Sequence, residues 1–156
     1  MLTRPNLIFL AATGSAALMI GALLFQYVGE MPPCKLCYWQ RYPHVAAIVI
    51  GFLALMVAGR GLPLLGGLAA MTTGGIGVYH TGVERGWWKG PESCTGDGGG
   101  LGGLSGSDLL SLDTPSGIVM CDKVPWEMFT LSMASWNAVA SFGLALIWLL
   151  AARSRV

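Results

Sequence analysis

The sequence predicts an all-α protein that crosses a membrane four times as helices, with a long loop between the third and fourth. Three observations carry that reading. The 156 residues are 54% hydrophobic and only 11% charged, whereas soluble domains run at about 25% charged, so too little polar surface exists to cover a water-facing globule. Three uncharged stretches are each long enough to cross a hydrocarbon core about 30 Å thick, at about 1.5 Å of helix per residue. A shorter fourth apolar run reaches spanning length once it recruits the polar sequence ahead of it. A net charge of +1 gives no electrostatic reason to expect nucleic acid. Low charge together with abundant Trp and Phe argues against disorder.

The first span falls at about 7–28, inside a run from 5 to 29 that carries no charge. Arg4 followed by an apolar run is also how a signal peptide begins, but this run is long for an h-region and further spans follow. The apolar run at 45–58 is too short to cross, so the second span, about 37–58, takes in Cys37 and Arg41 and begins at a cysteine pair. Pro43 disfavours helix at Tyr42 and removes the bond its own amide would make to Trp39, marking a possible kink just after Arg41. The third span, about 62–81, repeats small residues at Gly66, Ala70 and Gly74, which lets a neighbouring membrane helix approach closely. The fourth lies at about 128–152.

A short turn around Arg60 joins the second and third spans, so the loops at about 29–36 and 82–127 emerge on the same face. All four cysteines and all eight acidic residues lie there, while the other face holds Arg4, Arg60, Arg153 and Arg155. Positive charge in short loops marks that other face as cytoplasmic, although the raw Lys and Arg count is four there against five on the cysteine face. Trp87, Trp88 and Trp126 next to span ends, with Trp148 near the other end, suit an interfacial aromatic belt. In the long loop, Gly98, Gly100 and Gly103 fit a G-x-G-x-x-G pattern, but no strand precedes them and no helix follows closely. The glycine-rich stretch at 96–106 therefore reads as a flexible linker. Residues 107–113, with Leu109, Leu110 and Leu112, are a candidate short helix on the membrane surface.

Chemistry concentrates in the cysteines. Cys34 and Cys37 form C-x-x-C at the mouth of a helix, and Cys94 and Cys121 sit in the long loop on the same side. Four cysteines permit three pairings, of which the local pair plus Cys94–Cys121 is the simplest. Haem attachment requires His after the second cysteine, where Tyr38 stands. A four-cysteine zinc site is disfavoured because Cys94 and Cys121 lack the short paired spacing, and zinc thiolates would have to survive in an oxidising compartment; no metal is expected. Two structural disulfides are the competing non-enzymatic reading, but a C-x-x-C bridge closes too small a loop to stabilise much through chain entropy.

A redox role explains more residues. A cysteine at a helix N-terminus feels the positive end of the macrodipole, and a guanidinium favours the thiolate further. Arg41 follows Cys37 by four residues, which on a continuous helix puts both on one face; a snorkelling or headgroup-binding role is the plainer reading of that arginine. Two dithiol pairs on one face form a relay between a soluble protein and an acceptor in the lipid. Exchange conserves disulfides, so making new ones needs an external two-electron oxidant, and membranes supply quinones.

These residues resemble the bacterial disulfide bond formation protein B (DsbB) family of quinone-linked thiol oxidases. The resemblance covers most of the chain and rests on Cys34-Lys-Leu-Cys37-Tyr-Trp-Gln-Arg41, on Tyr79-His80-Thr81, and on Cys121 followed by Trp126-Glu127 and Leu131-Ser-Met133-Ala-Ser-Trp136. It implies a four-helix bundle in the bacterial inner membrane, cysteines facing the periplasm, that reoxidises a thioredoxin-like dithiol oxidase of the DsbA type. In that scheme Cys94 forms the mixed disulfide with the partner and Cys121 is its pair. Electrons then pass to Cys34 and Cys37, with Cys37 next to a quinone, ubiquinone or menaquinone, and Arg41 helping to bind it. His80, Met133 and Trp136 are further candidates beside the quinone, although His80 also suits a helix end and the other two suit bundle packing. The related vitamin K epoxide reductase-like oxidases place the loop cysteines before the C-x-x-C, the reverse of the order here.

Overall fold

The computed structural model describes residues 3–91 and 120–154. Cys94, the glycine-rich stretch at 96–106 and the candidate surface helix at 107–113 lie outside the described residues. Within them the chain forms four helices, α1 (Arg4–Tyr27), α2 (Lys35–Met56), α3 (Gly61–Glu84) and α4 (Met133–Arg153). Two-residue strands β1 (Glu127–Met128) and β2 (Leu131–Ser132) stand directly ahead of α4. Helices α1, α3 and α4 are long and apolar enough to cross a membrane, which fits a multi-pass membrane protein. The second helix has comparable length, 22 residues, but Lys35, Gln40, Arg41 and His44 make its first half polar.

Each helix starts where local chemistry allows it. Pro5 stands in the first turn of α1, where its missing N–H costs nothing. At α2 the N-cap is Cys34, whose sulfur accepts from the Cys37 N–H at 3.3 Å and so does the work of the usual cap oxygen. The helix then runs through Pro43 to Met56 without interruption. Gly59, at φ 135°, turns the chain into α3, and the Arg4 guanidinium donates to its carbonyl, tying the start of α1 to that turn. Gly86, at φ 69°, ends α3, and the Trp87 N–H closes the terminus on the Gly82 carbonyl at 2.8 Å.

The uncharged run leading into the fourth span begins at Met128, whereas the helix begins at Met133. An antiparallel hairpin fills the gap, pairing Glu127 with Ser132 and Met128 with Leu131. Its two turn residues, Phe129 at φ 53° and Thr130 at φ 62°, both adopt the left-handed conformation that a two-residue hairpin turn requires. Arg85 holds the turn by donating to the Thr130 carbonyl at 3.1 Å. Ser132 then caps α4, accepting the Ser135 N–H at 3.3 Å.

Packing is inverted relative to a soluble bundle. Small residues fill the interior, among them Ala11, Ala47, Ala54, Ala70, Ala138 and Ala145, while Phe9, Ile20, Phe52, Leu68 and Leu146 point outward. That is the pattern expected where lipid solvates the large side chains and helices are held by close approach. The small-residue stripe of α3 meets α4: a carbon added at Gly66 would lie 2.7 Å from the Trp148 indole, one at Gly74 3.1 Å from the Phe142 ring, and one at Gly77 2.9 Å from the Ala134 carbonyl. Contacts that run from Gly66 with Trp148 to Gly77 with Ala134 make the two helices antiparallel. Trp148 corrects the sequence reading, because it is completely buried rather than part of an interfacial belt; Gly51 and Gly66 leave the room its ring needs. Arg60 and Arg153 share one end of the bundle, and Cys34 and Cys121 are buried together with Leu36 and Val83 at the other.

Filling the space opposite Trp148 by Gly66→Ala should therefore cost about 1–3 kcal/mol. Gly75→Ala, where nothing lies within 4 Å of the added carbon, should be neutral or stabilising by up to about 1 kcal/mol through helix propensity. Reversible denaturation in mixed micelles, followed by circular dichroism, compares the two.

Candidate active site

The site is built at the N-terminus of α2. Because Cys34 is the cap and Cys37 lies in the first turn, the two sulfurs meet at 2.9 Å as free thiols. Cys34 is buried, and its hydrogen bond to Cys37, reinforced by that burial, pushes its thiol far above the ordinary range. Cys34 therefore retains its proton. Cys121 is disulfide-bonded and fully buried, in the same small cluster as Cys34, with Cys37 packed against it. The second loop cysteine, Cys94, lies outside the described residues.

Helix α3 delivers His80 to this pair. Its Nε2 stands 3.6 Å from Cys34 Sγ and 3.7 Å from a Glu84 carboxylate oxygen one turn further on. Gln40, one turn into α2 beyond Leu36, donates from its amide nitrogen to the Leu36 carbonyl at 3.2 Å and to His80 Nδ1 at 2.9 Å. With Nδ1 accepting, the neutral ring carries its proton on Nε2, the nitrogen facing the sulfur. Cys34, Cys37 and His80 offer three ligand atoms within 4.8 Å of one another, close enough to hold a metal ion. Ligation would require His80 to give up the proton that Gln40 holds on Nε2.

Beside the sulfurs a cavity of about 310 Å³ opens between α1, α2 and α4. Its wall is largely apolar, with Leu18, Phe25, Pro33 and Met133 prominent, and Cys34 and Cys37 form part of it. Arg41 enters from the same face of α2 as Cys37 and is anchored to α1, donating to Gln26 Oε1 at 2.6 Å and to the Ala22 carbonyl at 3.3 Å. Its guanidinium carbon lies 5.1 Å from the centre of the Tyr38 ring. A further donor, Nε, is buried without a hydrogen-bond partner. His80 and Trp136 complete the sequence-derived candidates, both lining the cavity; the Trp136 indole N–H donates to the Met128 carbonyl at 3.1 Å, which fastens it to the hairpin.

Sequence reasoning missed a second set of polar groups here. Gln40, His44 and Asn137 also line the cavity. Asn137 donates to Gln40 Oε1 at 2.7 Å and to Thr73 Oγ1 at 3.2 Å, and His44 Nε2 lies 2.9 Å from Asn137 Oδ1. At the mouth, Ser132 donates to Glu84, and the Thr81 and Ser135 hydroxyls pair at 3.0 Å. One available signal was the cost of polar groups in apolar helices: Gln40 and His44 share a face of α2 at four-residue spacing, and Asn137 is a polar amide inside an uncharged, largely apolar span.

A family model described as Disulfide bond formation protein DsbB matches residues 4–151. Similar chains include disulfide bond formation protein B of Polaromonas sp. (strain JS666 / ATCC BAA-500), 29% identical over 153 residues that cover 91% of this chain and 89% of the relative. The protein of the same name from Albidiferax ferrireducens is 33% identical over 146 residues, 83% of this chain and 81% of its own. That from Methylococcus capsulatus is 33% identical over 145 residues, 86% and 85% of the two chains. No solved structure matches. Because the matched region runs from the first residue of α1 almost to the end of α4 and takes in both sulfurs, Arg41 and the cavity they share, this chain belongs to the DsbB family.

Proposed function

We propose that the protein is a membrane thiol oxidoreductase that makes disulfides for a periplasmic thioredoxin-fold partner of the DsbA type and passes the electrons to a membrane quinone. The observation that carries this reading is the thiol pair, Sγ to Sγ 2.9 Å, set in the wall of an apolar cavity that also holds a half-buried arginine whose buried Nε has no hydrogen-bond partner. Structural bridges alone would need neither the cavity nor the arginine. The similar proteins named disulfide bond formation protein B support the same chemistry.

The relay is a sequence of balanced exchanges. A partner dithiol attacks the Cys94–Cys121 disulfide; the partner leaves as a disulfide, and Cys94 and Cys121 hold the two electrons and two protons. Those thiols then reduce a Cys34–Cys37 disulfide and become a disulfide again. Cys34 and Cys37 are left as the free thiols seen here, and they return to the disulfide when two electrons and two protons leave them. A quinone bound in the cavity supplies the two-electron, two-proton sink.

The cavity residues suit such a group. Leu18, Phe25 and Met133 offer apolar contact for a ring, and the unpartnered Arg41 Nε offers a donor for an oxygen. His80 holds Nε2 3.6 Å from the Cys34 sulfur and hydrogen-bonds the Cys121 backbone, and Gln40 keeps the ring in that orientation. All four helices crossing the inner membrane, with the 82–127 loop in the periplasm, agrees with Arg60 and Arg153 sharing the end away from the sulfurs. It agrees also with the outward apolar face of α2, formed by Val45, Val49 and Phe52.

The deciding experiment mixes purified protein in detergent with a reduced periplasmic dithiol protein and a short-chain quinone, following quinone loss by absorbance. One quinone should be consumed per disulfide formed, and absence of turnover would end the proposal. Cys37→Ser should reduce the rate to background, while Cys121→Ser should accumulate a partner adduct through Cys94, visible on a non-reducing gel. Arg41→Ala should raise the apparent KM for quinone by about tenfold or more, the loss of one charged hydrogen bond, and leave formation of that adduct unchanged.

A further inference from the structure

His44 takes no part in the sulfur exchange, yet it is held firmly in the cavity wall. It stands on the stripe of α2 that carries Cys37 and Arg41, at positions i, i+4 and i+7, and all three line the cavity. The side chain is buried. One ring nitrogen, Nε2, faces Asn137 Oδ1 at 2.9 Å; the other, Nδ1, is buried with no hydrogen-bond partner. A buried polar atom left unsatisfied costs free energy, which a ligand supplying the missing bond recovers.

The neighbouring amides decide which nitrogen holds the proton. Gln40 uses both amide hydrogens, on the Leu36 carbonyl and on His80, so the end it turns to Asn137 is the oxygen. Thr73 commits its single hydroxyl proton to the Gln40 carbonyl at 2.9 Å and can only accept from Asn137. Both neighbours therefore require the Asn137 amide nitrogen, and Oδ1 is left facing His44. Neutral His44 must donate from Nε2, so its Nδ1 is a bare lone pair.

We propose that His44 is a further binding residue of the acceptor cavity, its Nδ1 accepting a hydrogen bond from a ring hydroxyl, so that the cavity favours the reduced diol over the oxidised dione. This rests on the cavity being the acceptor site proposed above. Arg41 Nε, the other unpartnered polar atom of α2 in the cavity wall, offers an N–H that an oxygen can accept in either redox state. A dione has acceptor oxygens only and satisfies Arg41 alone. A diol has a donor as well, and His44 is the group that reads it. Tighter binding of the reduced form raises the reduction potential of the bound acceptor and so strengthens its pull on the electrons of Cys34 and Cys37.

The test titrates the full-length protein in detergent, without oxygen, with a short-chain 1,4-benzoquinone and separately with its hydroquinone. Quenching of tryptophan fluorescence reads binding, since Trp126 and Trp136 line the cavity. His44→Leu should weaken hydroquinone binding about tenfold and quinone binding less than about twofold, as loss of one hydrogen bond predicts. His44→Gln, which keeps an acceptor, should recover most of the difference. Nitrogen-15 spectra of the unmodified protein, which has two histidines, should show His44 protonated at Nε2, with the Nδ1 resonance moving when hydroquinone but not quinone is added. Equal losses for both ring forms, or a neutral His44 protonated at Nδ1, would overturn the inference while leaving the cavity reading intact. An unmodified protein that binds neither form would overturn both.

Discussion

The close approach of α3 to α4 is the constraint on which the rest of the molecule depends. Within lipid, burying a large apolar side chain between helices gains little, because the hydrocarbon outside solvates it equally well. What remains is dispersion at short range and hydrogen bonds between helices. The glycines of α3 allow both: Gly77 brings the two backbones together at Ala134, and one turn away the Thr81 and Ser135 hydroxyls pair. That contact positions Thr73 on α3 to meet Asn137 on α4, while α2 packs against α3 and reaches α4 through the bonds of Gln40 and His44 to Asn137.

A polar chain then crosses the bundle interior from Cys34 through His80, Gln40 and Asn137 to His44. In a medium of low dielectric such bonds are strong, and an unmade one is correspondingly costly, so each member depends on the next. The chain also has a direction. Its sense is anchored at the Leu36 carbonyl and at Thr73, two groups whose donor or acceptor role cannot reverse. Two histidines that would otherwise exchange tautomers freely are thereby held, His80 with Nε2 near the Cys34 sulfur and His44 with Nε2 on Asn137 and Nδ1 without a partner.

A thiol at the N-cap joins this interior to the membrane surface. Serine or aspartate would cap α2 as well as Cys34 does, but neither can exchange electrons. Placing the second cysteine three residues on brings its sulfur onto the first, and the helix continues from there into the apolar layer with Arg41 four residues further along the same face. The sulfurs therefore stand in the wall of the apolar cavity, at the end of the bundle away from Arg60 and Arg153.

Hydropathy and length along the chain locate α1, α3 and α4, because the free energy of placing residues in hydrocarbon is nearly additive with sequence, whereas α2 is found only by adding the polar residues ahead of its short apolar run. The C-x-x-C motif and Arg41 are likewise legible, since a helix converts their spacing directly into a shared face. Other features were not legible. Trp148 has the same composition signal whether it lies in an interfacial belt or in the core, and only the space left by Gly51 and Gly66 decides for the core. The uncharged run from Met128 reads as helix, yet the left-handed pair Phe129 and Thr130 makes a hairpin of its start.

The candidate site divides along the same line. Composition and local spacing determine a membrane protein with reactive sulfur at a helix mouth, because those properties belong to single segments. Tertiary structure alone decides that Gln40 meets Asn137 across 97 positions of sequence, which histidine nitrogen carries a proton, and which buried atoms remain open to a ligand. Hydrogen bonds of that kind depend on distance and direction between helices, and no property of one helix encodes either.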